Sequence, residues 1–185
     1  MDTVGTEEAA LVGRKIFSLG DSRQAVAKER EEFCTYIKAY RLNMFRLAKS
    51  ILHNDSDAED ATSEAILKAY KNLDNLKSYA SFKPWIMKIV VNEAYNLARQ
   101  RQKVLYLQEM EFSQESTSDD SAELWSVVNT LEEEFRIITV LYYYEDMSIK
   151  EISQTLGLPI GTVKSRLGRA RQKLKALLTE EGGRK

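Results

Sequence analysis

The sequence predicts an all-α chain of two small helical domains joined by an acidic flexible linker, the second domain a helix-turn-helix. Three observations carry this. Only two prolines and eight glycines occur in 185 residues, and long runs are rich in Leu, Ala, Glu, Lys and Arg. Apolar residues recur at spacings of three and four, the period of an amphipathic helix. Between two such periodic stretches lies an acid-rich, Ser/Thr-rich segment with no periodicity. At this length each half can bury a small core of its own.

Taken in chain order, residues 1–28 mix Gly5, Gly13 and Gly20 with scattered charge. They read as a flexible arm with a short helix around Ala9–Ser18. From about Glu29 the pattern turns strongly helical: Phe33, Ile37, Tyr40, Met44, Leu47 and Ile51 share one face. "HNDSD" breaks that helix. Ser56 and Glu59 then have the spacing of a capping box for the next one, with Asp57 and Asp60 near its positive end. Ala58, Ala61, Ala65, Ala69 and Leu73 form its buried edge. "LDNLKSYAS" connects to a third helix, which has Pro84 in its first turn and runs to about Lys103.

Residues 107–123 carry six acids and no basic residue, and a charged linker of that kind extends. The predicted domains are thus 29–104 and 124–185, with the linker at 105–123. In the second domain Leu124, Val127, Val128 and Leu131 lead into Phe135, Ile138, Leu141 and Tyr142. Ser148 and Glu151 form another capping box, opening a short helix through Ile149, Ile152 and Leu156. "GLP" turns the chain into a last, basic helix.

That helix carries the chemistry. The net charge of the chain is −1, yet the stretch from Thr162 to Ala176 holds six Lys or Arg and no acid. A short capped helix, a glycine turn and a basic helix together describe a helix-turn-helix. Val163, Leu167, Ala170, Leu174, Leu177 and Leu178 line its packing face. Thr162, Arg166, Arg169 and Lys173 point the other way, while Lys164, Arg171 and Lys175 flank the apolar stripe. Such a helix enters a major groove, where Arg reads guanine edges, and lies along phosphates with the rest. The plain alternative, a solvated basic face, leaves the preceding turn and capped helix unexplained. Gly168 costs roughly 1 kcal/mol relative to Ala in mid-helix; it either permits close approach to DNA or is merely tolerated.

The third helix has a polar face of its own. Lys88, Asn92, Tyr95 (or Asn96) and Arg99 align at helical spacing, and Arg101 and Lys103 extend the charge. Amides, an aromatic and arginines suit bases and backbone, including unstacked single strands, although a solvated face is the simpler alternative for these residues alone. Trp85 reads as a core anchor.

Other classes of function are disfavoured. The single Cys34 excludes an internal disulfide framework and reads as a core residue of an apolar stripe. "DSDAED" lacks the glycine and terminal glutamate of a calcium loop, so neither a metal nor a cofactor is expected. His53 is the only histidine and has no evident nucleophile partner, so no enzyme is expected. No apolar run approaches the ~20 residues of a membrane span. The first residues, with Asp2, Glu7 and Glu8, do not read as a secretory signal. A cytoplasmic protein is expected.

"DAEDATSEAILKAYKNL", "FKPWIMKIVVNEAYNLARQRQK" and "LPIGTVKSRLGRARQKL", in this order and separation, resemble a bacterial RNA polymerase sigma factor of the extracytoplasmic-function group of the sigma-70 superfamily. The resemblance covers roughly Glu31–Leu178. It implies a transcription initiation factor that binds core RNA polymerase, through the beta-prime clamp and the beta subunit, and directs it to promoter DNA. By that resemblance Asp57, Asp60, Ser63 and Glu64 are polymerase contacts. The minus-10 element would be recognised and melted by Lys77, Ser78 and Tyr79 of the loop with Lys88, Asn92, Tyr95, Asn96 and Arg99 of the helix. The minus-35 element would be read by Thr162, Lys164, Ser165, Arg166, Arg169 and Lys173. The linker would run through the polymerase toward the RNA exit path, and an anti-sigma factor is an implied partner.

Two features depart from the family pattern. Ser63 stands where Gln is usual, and the N-terminal arm is longer than usual, a removable pro-segment or an additional contact. The rival readings are a stand-alone helix-turn-helix regulator, which leaves the first domain unexplained, and a helical adaptor, which leaves the basic helix unexplained.

Overall fold

The computed structural model describes residues 5–105 and 120–182, with side chains described for 27–102 and 124–179. Seven α-helices, and no strand, occur among the described residues: α1 Gly5–Leu52, α2 Asp55–Lys71, α3 Phe82–Leu105, α4 Asp120–Asn129, α5 Glu133–Thr139, α6 Ile149–Leu156 and α7 Ile160–Gly182. The chain divides into two compact units, residues 1–39 and 40–185.

The first unit differs from expectation. Its residues are helical from Gly5 onward, so the helix is longer than the short one expected around Ala9–Ser18. Neither proline of the chain precedes residue 84; Gly13 and Gly20 weaken a helix by about 1 kcal/mol each without forbidding it. Cys34 is also not a core residue: it is exposed. Its neighbour Phe33 takes the buried direction, and one residue further is a rotation of about 100° around a helix.

In the second unit, the predicted face of α1 is buried through Met44, Leu47 and Ile51. His53 ends the helix with a left-handed φ of 57°, its N–H donating to the Lys49 carbonyl at 2.9 Å. Partial burial, and then the Arg136 charge, lower the His53 pKa.

The N-cap of α2 is Asn54, whose side chain accepts from the Asp57 N–H at 3.0 Å. The predicted Ser56–Glu59 capping box therefore does not form. His53 reverses the chain two residues sooner than the motif implied, which leaves Asn54 extended and Ser56 already inside the first turn.

Ala58, Ala61, Ala65 and Ala69 are all buried, and with no bulk beyond a methyl they let α3 lie close against α2. Leu73, expected at the end of that edge, is only half-buried. Ile86, Met87, Val90, Val91 and Ala94 supply the opposing face of α3. Each large side chain so buried is worth roughly 1.5–3 kcal/mol. The connection before α3 holds two single 3-10 turns, Leu73–Asn75 and Tyr79–Ser81. Trp85 is half-buried, its ring 5.8 Å from that of Phe82.

Helix α4 begins at Asp120, four residues before the predicted domain start. The rest of the predicted linker, 106–119, lies outside the described residues. Helix α5 runs into a π-helical turn, Val140–Tyr144. Helix α6 has the predicted capping box, Ser148 with Glu151, and ends at Gly157 with φ 66°. In α7, Val163, Leu167 and Ala170 are buried, and Leu174 and Leu177 pack over Leu131 and Phe135. Leu178, expected on the same stripe, is exposed; it lies one rotation past Leu177, off the contact with α5. A Cβ on Gly168 would meet nothing within 4 Å, so no internal packing requires glycine there.

Candidate nucleic-acid interface

Helix α7 follows the tight Gly157 turn after α6, and α5 and α6 hold it from beneath. Its outward side chains divide into two sets. Lys164, Ser165 and Arg169 are exposed, and Ser165 Oγ donates to the Thr162 carbonyl at 3.0 Å. Thr162 is half-buried. Arg166 and Lys173 are already engaged. Arg166 NH2 lies 2.7 Å from Glu134 Oε2, and Lys173 Nζ lies 2.6 Å from Glu132 Oε1. Arg171, predicted only to flank the stripe, donates from Nε to the Tyr143 hydroxyl at 2.7 Å and lies over Tyr142.

On α3, Lys88, Asn92 and Arg99 are exposed and Tyr95 is half-buried. Arg99 is held along the helix: Nε donates to the Tyr95 carbonyl and NH2 to Asn96 Oδ1. Burial, and then a hydrogen bond with Glu133, raise the Tyr95 phenol above its ordinary pKa. Ahead of α3, Lys77 is exposed, Ser78 Oγ accepts from the Ala80 N–H at 3.2 Å, and Tyr79 stacks on Phe82. Asn92 and Tyr95 share a cleft of about 700 Å³ with Glu132, Glu133, Glu134 and Arg166. The structure thus brings side chains of both predicted DNA faces to one cleft.

The predicted polymerase residues separate in an instructive way. Asp60, Ser63 and Glu64 are exposed and line a shallow groove of about 510 Å³ with Leu67, Glu93, Asn96, Leu97 and Gln100. Asn96 therefore belongs to this groove and not to the Tyr95 cleft. Asp57 does not fit the expectation of a surface contact. It is buried, and its carboxylate is paired with Arg101 of α3. Burial raises its pKa, with Arg101 opposing. Its work is to tie α2 to α3.

Sequence reasoning missed Arg136 and Glu145. Arg136 sits among apolar positions of α5 and is buried, donating to the carbonyls of Ser50 and Leu131 at 2.6 Å. Glu145 is buried against Asn43 and Arg46. A charged residue inside an apolar run is the one signal that marks Arg136; nothing local marks Glu145.

Residues 36–104 match the family model for sigma-70 region 2, and residues 121–174 match that for sigma-70 region 4. The chain belongs to the sigma-70 family. It is a sigma factor that directs RNA polymerase to promoters. Among curated relatives it is similar to the RNA polymerase sigma factor SigV of Bacillus subtilis, 29% identical over 80% of this chain and 91% of the relative. The ECF RNA polymerase sigma factor SigW of the same organism is 25% identical over 85% of this chain and 95% of its own length.

Among solved structures the sigma factor resembles RpoE of Bartonella quintana, solved in complex with the anti-sigma factor NepR. The TM-score is 0.68 at 25% identity, covering 78% of this chain and 97% of the other. CnrH, solved with the cytosolic domain of CnrY, matches with a TM-score of 0.62 at 26% identity, covering 82% and 90%. No helix among the described residues is long and apolar enough to cross a membrane.

Proposed function

We propose that this sigma factor divides its work among three surfaces and performs no catalysis of its own. Asp60, Ser63 and Glu64 of α2 dock on the beta-prime clamp. Lys77, Ser78 and Tyr79 with Lys88, Asn92, Tyr95 and Arg99 engage the minus-10 element. Thr162, Lys164, Ser165, Arg166, Arg169 and Lys173 engage the minus-35 element. The domains responsible are 29–104 and 124–185, the segment 105–123 spans the polymerase between them, and the protein acts in the cytoplasm. An anti-sigma factor is the proposed regulator, since both similar solved structures were solved with a second protein and one of those is named as such.

The observation that supports the polymerase surface best is the groove between α2 and α3. Asp60 and Glu64 are exposed in it, while Ala58, Ala65 and Ala69, which pack α2 against α3, do not line it. Charge reversal there alters an interface without touching the core.

The test combines purified core polymerase with the chain and measures both binding and transcription from its cognate promoter. The Asp60→Lys, Glu64→Lys variant is expected to keep its melting temperature and lose at least tenfold in polymerase affinity, about 1.4 kcal/mol. Equal affinity of variant and parent would overturn the assignment of this groove.

A further inference from the structure

The π-helical turn Val140–Tyr144 holds three consecutive tyrosines. Such a turn shifts the side chains around it by one position and recurs at functional sites. Tyr144 packs edge-on against Trp125, the ring centres 5.2 Å apart. Tyr142 and Tyr143 face α7, with their rings 4.9 Å apart at 78° to each other. The Arg171 guanidinium lies over both, 5.5 Å and 5.9 Å from the two ring centres, and its Nε donates to the Tyr143 hydroxyl at 2.7 Å.

This arrangement closes no core, since Arg171 is exposed and Tyr143 is 50% exposed. The bond between them uses Nε and leaves NH1 and NH2 as donors, while the hydroxyl that accepts it keeps its own proton to donate. The two side chains therefore offer adjacent donors, one of them cationic, at the surface. Lys164 and Lys175, seven residues before and four after Arg171, share its edge of α7 and are exposed. Among the described residues no carboxylate pairs with any of these three cations. The other edge differs, because there Arg166 and Lys173 are paired with Glu134 and Glu132.

We propose that Tyr143 and Arg171 together grip a backbone phosphate beside the minus-35 element and so set the register of α7 in its groove. Tyr142 is the shelf beneath the guanidinium. The proposal rests on the assignment of α7 to the minus-35 element.

Contacts to phosphate fix where a helix lies and carry no sequence information, whereas base contacts specify once the helix is in place. Arginine suits the first task, since its planar fork matches two phosphate oxygens. A guanidinium already held by a hydroxyl and two rings has little freedom left to lose on binding. With no carboxylate to displace, a phosphate reaches this edge more readily than the edge of Arg166 and Lys173.

The test uses holoenzyme, the full chain assembled with core polymerase. Its affinity is measured over a range of salt for the cognate promoter and for single-base variants of the minus-35 element. Arg171→Ala, Arg171→Lys and Tyr143→Phe are compared with the parent and with Arg169→Ala. Lys38→Ala removes a cation from an exposed position of α1 and serves as the charge control.

Arg171→Ala is expected to weaken binding about tenfold, by the same factor on every promoter variant, and to lower the salt slope by about 1. Tyr143→Phe keeps the charge, so a loss of about threefold with an unchanged slope is expected. Arg171→Lys is expected to restore the slope and only part of the affinity. Parental affinity in Arg171→Ala or in Tyr143→Phe overturns the grip. So does a loss for Arg171→Ala confined to one base pair, which would make it a base reader, or a slope change no larger than that of Lys38→Ala. If Arg169→Ala also binds as the parent does, the assignment of α7 to the minus-35 element fails; if Arg169→Ala loses affinity and Arg171→Ala does not, the grip alone fails.

Discussion

Arg166 and Arg169 lie three residues apart on α7, yet their surroundings differ. Arg169 is exposed and ready for a base edge or a phosphate. Arg166 is half-buried and holds Glu134. Arg169→Ala is expected to weaken minus-35 binding by about 1–3 kcal/mol and to relax specificity at one base pair if it reads a base edge. Arg166→Ala should cost the free chain less, because its ion pair has to be given up before DNA can use it. Binding titrations against a panel of single-base promoter variants separate the two; a loss for Arg169→Ala uniform over all sequences would mark it as a phosphate contact. The identities of these cations could be read from helical spacing alone. The occupation of Arg166 could not, because its partner lies 32 residues earlier on another helix.

Single elements show where local rules hold and where they lose. The pattern Ser-x-x-Glu occurs at 56–59 and at 148–151, and only the second forms a capping box. Ser148→Ala is expected to cost about 1 kcal/mol. Hydrogen bonds from Ser148 hold the Glu151 pKa below its ordinary value. A depressed folded-state pKa gives stability that is present above the unfolded value near 4.5 and is lost as pH falls through the lower, folded one. Thermal melts should therefore separate Ser148→Ala from the parent most at pH 7 and narrow the gap as Glu151 protonates, without closing it, because the Glu151 N–H bond to Ser148 Oγ does not titrate.

At the start of α2 the expectation is reversed. Asn54→Ala should cost about 1 kcal/mol, while Ser56→Ala should stay within about 0.5 kcal/mol. Equal losses for the two would contradict Asn54 as the cap. The motif misleads at this end because the left-handed His53 decides where the chain turns into the helix.

For the whole molecule, the linker sets how far apart the two DNA-binding regions can reach. Residues 106–119, between the end of α3 and the start of α4, fully extended span roughly 50 Å, and as a free coil about 20 Å. Promoter elements two helical turns apart lie roughly 70 Å from centre to centre, so the linker has to extend even though the domains cover part of the distance. Deleting Glu109–Ser118 removes about 35 Å of reach. The expected result is retained binding to each element on separate duplexes, with loss of transcription from the two-element promoter. Lengthening the linker with Gly and Ser should do little harm, since loop entropy grows slowly with length. Transcription by the shortened chain equal to that of the parent would show that the linker does not bridge the elements.

The sequence by itself determined the helices of both regions, the helix-turn-helix, the basic face of α7 and the exposed acids of α2. These follow from periodicity, turn residues and caps, all of which act within a few residues along the chain. Tertiary structure alone decided that Cys34 is exposed, that Asp57 is internal, and that Arg136 and Glu145 are buried charges with partners 86 and 102 residues away. It also decided that Glu132, Glu133 and Glu134, which along the chain look like any solvated acidic run, face the residues proposed to bind DNA. Which charges meet depends on which helix faces pack together. That choice is made by apolar burial over the whole unit and leaves no local mark on the charged residues it brings together.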